Sequence, residues 1–125
     1  MPGTSLPETC ILKFTATWCG PCQKIKPLLA NDAKLRICTI DDISSSDSSH
    51  ILVVEVDVDH HVAVSEKFNI TSLPTLKFCK DGVVLEELTV QGADSTTILR
   101  NIETYKKKLH HIHLPICKEA KVKSW

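Results

Sequence analysis

Apolar and polar positions along this chain follow two periods, and the switches between them mark its elements. Cys10-Ile11-Leu12-Lys13-Phe14 is apolar apart from Lys13 and reads as a buried strand. From Pro21 to about Ala33 the pattern turns helical, with Ile25, Leu28 and Leu29 on one face. Pro27 lies inside that stretch, where proline removes a hydrogen bond and kinks a helix. Leu35 to Ile40 predicts a short strand, and Asp41 to His50 a polar loop. Ile51 to Val58 is strongly β-prone, and His60 to Phe68 reads as a helix. Thr75 to Lys80 and Val83 to Val90 predict a hairpin around Asp81-Gly82. A last helix runs from Ser95 to about Leu109, with Ile98, Ile102, Tyr105 and Leu109 on one face and Asp94 as its N-cap.

This order predicts an α/β fold, a central mixed sheet with helices on both faces. No internal repeat is present. At 125 residues the chain is long enough for one domain with a real core. We place that domain at residues 1–109 and a C-terminal tail at 110–125.

Composition narrows the function by exclusion. Lysine plus arginine and aspartate plus glutamate both number 15, so net charge gives no attraction to nucleic acid or membrane. No apolar run is long enough to span a bilayer. The first residues, Met1-Pro2-Gly3-Thr4-Ser5-Leu6-Pro7, lack the basic and long apolar regions of a signal peptide. Six cysteines without a secretion signal predict a reducing compartment, the cytoplasm.

Candidate chemistry concentrates in Trp18-Cys19-Gly20-Pro21-Cys22, which follows a strand and opens a helix. Two cysteines at this spacing make a dithiol that cycles between thiols and a disulfide. At a helix N-terminus, unpaired amides and the helix dipole stabilise a thiolate on Cys19, and the thiolate is the nucleophile. Pro21 suits the first turn, where its missing N–H has no partner to lose. Gly20 keeps the turn small enough for another protein's disulfide to reach Cys19. The alternatives are a metal knuckle or an incidental pair. A zinc site needs four ligands, and no second Cys-x-x-Cys exists here.

The chain resembles the thioredoxin family over roughly residues 10–109. Phe14-Thr15-Ala16-Thr17-Trp18-Cys19-Gly20-Pro21-Cys22 matches the active-site strand and turn, and Pro27 falls where the family kinks its helix. Val56-Asp57-Val58-Asp59 matches the following strand, and Ser72-Leu73-Pro74-Thr75 the loop whose proline is cis. Lys80-Asp81-Gly82 and Gly92-Ala93-Asp94 match the closing hairpin and the turn into the last helix.

The resemblance implies that Cys19 attacks a substrate disulfide and that the more buried Cys22 resolves the mixed disulfide. It implies a Cys19–Cys22 redox disulfide and a docking surface of Trp18, Leu73, Pro74, Gly92 and Ala93. It implies no bound cofactor: electrons come from NADPH through thioredoxin reductase or a related reductant. Partners would be protein disulfides, and the protein a monomer. Gly20-Pro21 between the cysteines favours a reductant over an oxidant. Trp18 packed in the core and Pro74 as an ordinary trans turn proline are the plainer alternatives.

Departures from the family pattern are informative. Only nine residues precede Cys10, too few for the family's first strand and helix, so one sheet edge is expected bare or covered by the tail. An insertion falls at about 35–50, and the chain continues past the usual end through His110, His111, His113 and Cys117. Six residues before Cys19, where the family carries a buried aspartate that exchanges a proton with the resolving cysteine, this chain has Lys13. Glu55 aligns on the neighbouring strand, where some relatives place a lysine. A swapped Lys13–Glu55 pair is one reading, and snorkelling of both side chains to the surface is the other.

Cys10 and Cys79 read as small buried hydrophobes, and Cys38, near the polar loop, as a candidate regulatory thiol. His60 and His61 read as surface residues. The tail histidines with Cys117 are more simply a solvated tail than a metal site, because Pro115 breaks any helix before Cys117. Three functions compete: a general protein disulfide reductase, an oxidoreductase with a narrow partner set, and a redox-sensitive binding module without catalysis.

Overall fold

The computed structural model describes residues 6–43 and 49–113, with side-chain surroundings to residue 109. Strand β1 (Cys10–Thr15) runs through the centre, buried on both faces, as its nearly unbroken apolar run requires. It pairs in parallel with β3 (Ile51–Asp57) and antiparallel with β4 (Thr75–Lys80). Outside β3 lies β2 (Leu35–Thr39), also parallel. Outside β4 lie the two-residue strands β5 (Val83–Val84) and β6 (Val90–Gln91).

Helices cover both faces. Helix α1 (Gly20–Ala30) and helix α3 (Ser95–His113) pack on one, where Ile11, Ile25, Leu29, Val53, Phe78, Ile98, Ile102 and Tyr105 form the main core. Helix α2 (Val62–Lys67) serves the other face, above Leu12, Phe14, Val54 and Val56, with the Phe68 ring tilted against Phe14 at 5.6 Å between centroids. Asp94 caps α3 as expected, its carboxylate accepting from the Thr97 amide at 3.2 Å and hydroxyl at 2.8 Å.

The inserted segment changes the expected picture of the sheet. The edge beside β3 is not bare: Leu35–Thr39, inside the insertion, forms its outer strand. The Ile51 amide donates to the Lys34 carbonyl at 2.8 Å, which fixes where this pairing begins. Strand β2 runs on into a short 3₁₀ turn at Ile40–Asp42, and Ile40 is buried.

Other boundaries move for local reasons. Helix α1 stops at Ala30, three residues early, because the chain turns through Asn31 and Asp32 into β2. Helix α2 is shorter than 60–68 on both sides. Asp81 and Gly82 both take positive φ, 54° and 82°, as a tight hairpin demands. Beyond them, the single strand expected over Val83–Val90 breaks at Glu86–Leu88, a 3₁₀ turn that buries Leu88. Asn101 of α3 donates to the Leu88 carbonyl at 2.9 Å and holds that turn in place. The last helix continues past Leu109 to His113. The side chains of the tail histidines, and Cys117, lie outside the described residues.

An ion pair ties the end of α1 to α3: Lys106 Nζ lies 2.7 Å from Asp32 Oδ2. Partial burial raises the Asp32 carboxyl, but hydrogen bonds from Lys106 and from the Lys34 amide outweigh it and hold the carboxyl below its ordinary value. A carboxylate depressed by folding stabilises the fold above the ordinary carboxylate range, and that contribution fades as pH falls through the lowered value. Asp32→Asn is expected to cost about 0.5–1 kcal/mol at pH 7 and nothing once the Asp32 carboxyl is protonated in both the folded and the unfolded chain. Urea titrations at pH 7 and at a pH well below the lowered value check this.

Candidate active site

Cys19 sits just before α1 as its N-cap, with extended backbone, and Cys22 lies one turn inside. The two are joined as a disulfide with Cα atoms 5.3 Å apart. The Cys22 amide points at the Cys19 sulfur at 3.3 Å, so a free helix N–H already faces the atom that would carry negative charge on reduction. Cys22 is fully buried, whereas Cys19 is 5% exposed. Ala16 clusters with the two cysteines, and Val58 and Leu73 pack against them.

A groove of about 680 Å³ opens over the pair, lined among others by Trp18, Cys19, Gly20, Pro21, Val62, Ile70 and Leu73. Cys19 is in its wall and Cys22 is not. Trp18 is 69% exposed, which rules out plain core packing. Its indole N–H donates to Asp59 at 2.8 Å, holding the ring at the rim. The Leu73–Pro74 bond is cis, so Pro74 is not an ordinary turn proline. The Pro74 carbonyl accepts from the Gly92 amide at 2.7 Å. Gly92 has φ of +97°, a conformation suited to glycine. This bond brings Gly92 beside Pro74. Of the expected docking residues, Trp18 and Leu73 line the groove, and Pro74, Gly92 and Ala93 do not.

Lys13 and Glu55 do meet. They are register partners on β1 and β3, and Lys13 Nζ lies 3.0 Å from Glu55 Oε2. Lys13 is 1% exposed, so the snorkelling alternative fails. The pair lines a second, polar cavity of about 370 Å³, bounded also by Ala16, Gln23, Lys26, Asp41, His60 and His61. His61 is half-buried rather than a surface residue, and its ring lies 3.5 Å from the exposed Asp41.

Sequence reading missed Asp59, Val62 and Ile70 at the groove and Gln23, Asp41 and His61 at the polar cavity. Asp59 stood in the matched Val56–Asp59 segment. The others come together only through tertiary packing. Cys38 is not an activated thiol: burial, the largest influence, pushes it above its ordinary value. Among the described residues no cluster of histidine, cysteine and acidic side chains is disposed to hold a metal. Also among them, no helix is long and apolar enough to cross a membrane.

A helix-capping cysteine and a buried partner one turn later, under an open apolar groove, define a thiol–disulfide oxidoreductase. The comparisons with known proteins agree, and the chain belongs to the thioredoxin family, whose model matches residues 5–104. It is 35% identical over 96 residues to the thioredoxin of Ictalurus punctatus, covering 77% of this chain and 78% of that protein. It is also 35% identical to thioredoxin H3 of Arabidopsis thaliana, covering 77% and 70%. A solved structure of Plasmodium falciparum thioredoxin superposes with a TM-score of 0.61 at 33% identity, covering 82% and 86%.

The geometry separates the two thiols of the reduced protein. Iodoacetamide below saturation is expected to modify Cys19 at least about tenfold faster than Cys22, because thiolate character and access both favour Cys19. Peptide mapping checks this, and preferential labelling of Cys22 would reverse the roles.

Proposed function

We propose that this protein reduces disulfides in other proteins with Cys19 as nucleophile and Cys22 as resolving thiol, drawing electrons from NADPH through a thioredoxin reductase. The observation that carries this reading is the asymmetry of the pair: Cys19 borders the open groove and Cys22 is fully buried behind it. Cys19 thiolate attacks one sulfur of a substrate disulfide, and the other leaves as a thiolate that takes a proton. Cys22 then attacks Cys19, releases the second substrate sulfur and leaves Cys19–Cys22 oxidised. A reductase returns two electrons and two protons.

Cys22 must lose its proton to attack. Glu55, held by Lys13, is our proposed acceptor, working through water in the polar cavity, which is roomy enough for it. Trp18, Leu73, Pro74, Gly92 and Ala93 form the proposed docking edge. The working compartment is a reducing one, the cytoplasm, and the working form a monomer.

A narrow partner set is the second reading, favoured by Lys13 and by the inserted edge strand β2. An insulin-reduction assay coupled to thioredoxin reductase and NADPH decides between them. NADPH consumption that depends on this chain supports the general reductase. Reduction with dithiothreitol but none with reductase and NADPH supports the specialised one.

A further inference from the structure

Far from the active site, two of the remaining cysteines are direct partners across the sheet. Cys10, the first residue of β1, lies opposite Cys79 near the end of antiparallel β4. Both are free thiols in the same apolar cluster on the α2 face. Directly opposed residues on antiparallel strands hold their Cβ atoms about 4.5–5.5 Å apart. A disulfide needs roughly 3.5–4.5 Å, so a small shift at two strand ends closes the gap. The Tyr105 hydroxyl, buried beneath them, hydrogen-bonds to the carbonyls of both residues, at 3.3 Å for Cys10, and pins the two backbones together at this point.

We propose that Cys10 and Cys79 form a second dithiol, oxidised to a cross-strand disulfide by small-molecule disulfides that reach Cys79 first. Access sets the order: Cys79 is 7% exposed and Cys10 fully buried. Charge sets the same order. A hydrogen bond between the two thiols lowers Cys79, aided by nearby Lys77, while burial and Glu86 oppose. The same bond and burial raise Cys10. When Cys79 is neutral, the single Cys10 S–H is donated instead to the Pro7 carbonyl at 3.5 Å.

The Cys79 thiolate attacks one sulfur of the small disulfide, forms a mixed disulfide and expels a thiolate that takes up a proton. Cys10 loses its proton, attacks the Cys79 sulfur and expels the second thiolate. Two protein thiols are oxidised and one disulfide is reduced to two thiols. The bond joins the start of β1 to the end of β4 and leaves Cys19 and Cys22 out of the exchange.

The test uses the full chain with Cys19→Ser and Cys22→Ser, which removes the competing dithiol. The folded protein is treated with oxidised glutathione, blocked with N-ethylmaleimide and digested without reductant. Mass spectrometry is expected to find the Cys10 and Cys79 peptides linked, and thermal unfolding to shift upward. Adding Cys10→Ala should leave a stable glutathione adduct on Cys79. Adding Cys79→Ala should leave Cys10 without an adduct, which keeps the order testable if either variant is weakened. Linkage of Cys10 to Cys38, linkage only in urea, or an adduct on Cys10 in the Cys79→Ala protein would each overturn the proposal.

Discussion

Replacing Cys19 with serine is expected to lower protein-disulfide reduction by a factor on the order of 10³ or more, to the uncatalysed background. Serine keeps the N-cap, so the fold should survive and the loss should belong to the chemistry. Cys22→Ser behaves differently. Cys19 still attacks, but the mixed disulfide has no internal thiolate to resolve it and accumulates. Incubated with a lysate, this variant should carry partners as adducts released by dithiothreitol, and Cys19→Ser/Cys22→Ser should carry none. Turnover assays and non-reducing gels read the two effects separately.

The second large effect concerns Lys13. Its ammonium is 1% exposed, and its carboxylate partner Glu55 lies 3.0 Å away. Removing one member of a buried pair leaves the other charge without compensation. Lys13→Asp goes further and sets two carboxylates side by side. A loss of about 3 kcal/mol is expected, at the lower end for buried pairs because Glu55 keeps some contact with solvent. For a domain of this size that is a fall in Tm on the order of 10 °C. Lys13→Asp with Glu55→Lys restores opposite charges in the inverted order and should recover most of the loss. A double-mutant cycle reads the coupling directly. Additive effects of the two changes would show that the pair contributes nothing.

Short-range chemistry was the readable part of this molecule. Cys19 at a helix start, Pro21 in the first turn, Asp94 as a cap and Asp81-Gly82 in a hairpin each declare themselves within a few residues. The Lys13–Glu55 pair was half readable, since alignment named both residues but not whether they faced one another. Parallel β1–β3 register decided it. Strand β2 could be read as a strand but not as an edge, because pairing with a distant strand leaves no local mark. The break after Val84 had a signal that strand propensity masked. Leu85 and Leu88 are three apart, a turn-like spacing, and Leu88 is the one buried. Cys10 and Cys79 are the buried strand residues their context suggests, but their pairing lay beyond sequence reading, because a slip of one residue in register would put them on opposite faces.

Every role assigned to the site depends on Cys19 and Cys22 exchanging electrons with protein disulfides. Insulin reduction by dithiothreitol, followed by turbidity, tests it most directly. With wild-type protein in catalytic amount, turbidity is expected well before the dithiothreitol-only control, and with Cys19→Ser/Cys22→Ser at the same time as that control. Wild-type protein that is folded, fully reduced and no faster than the control would contradict the account.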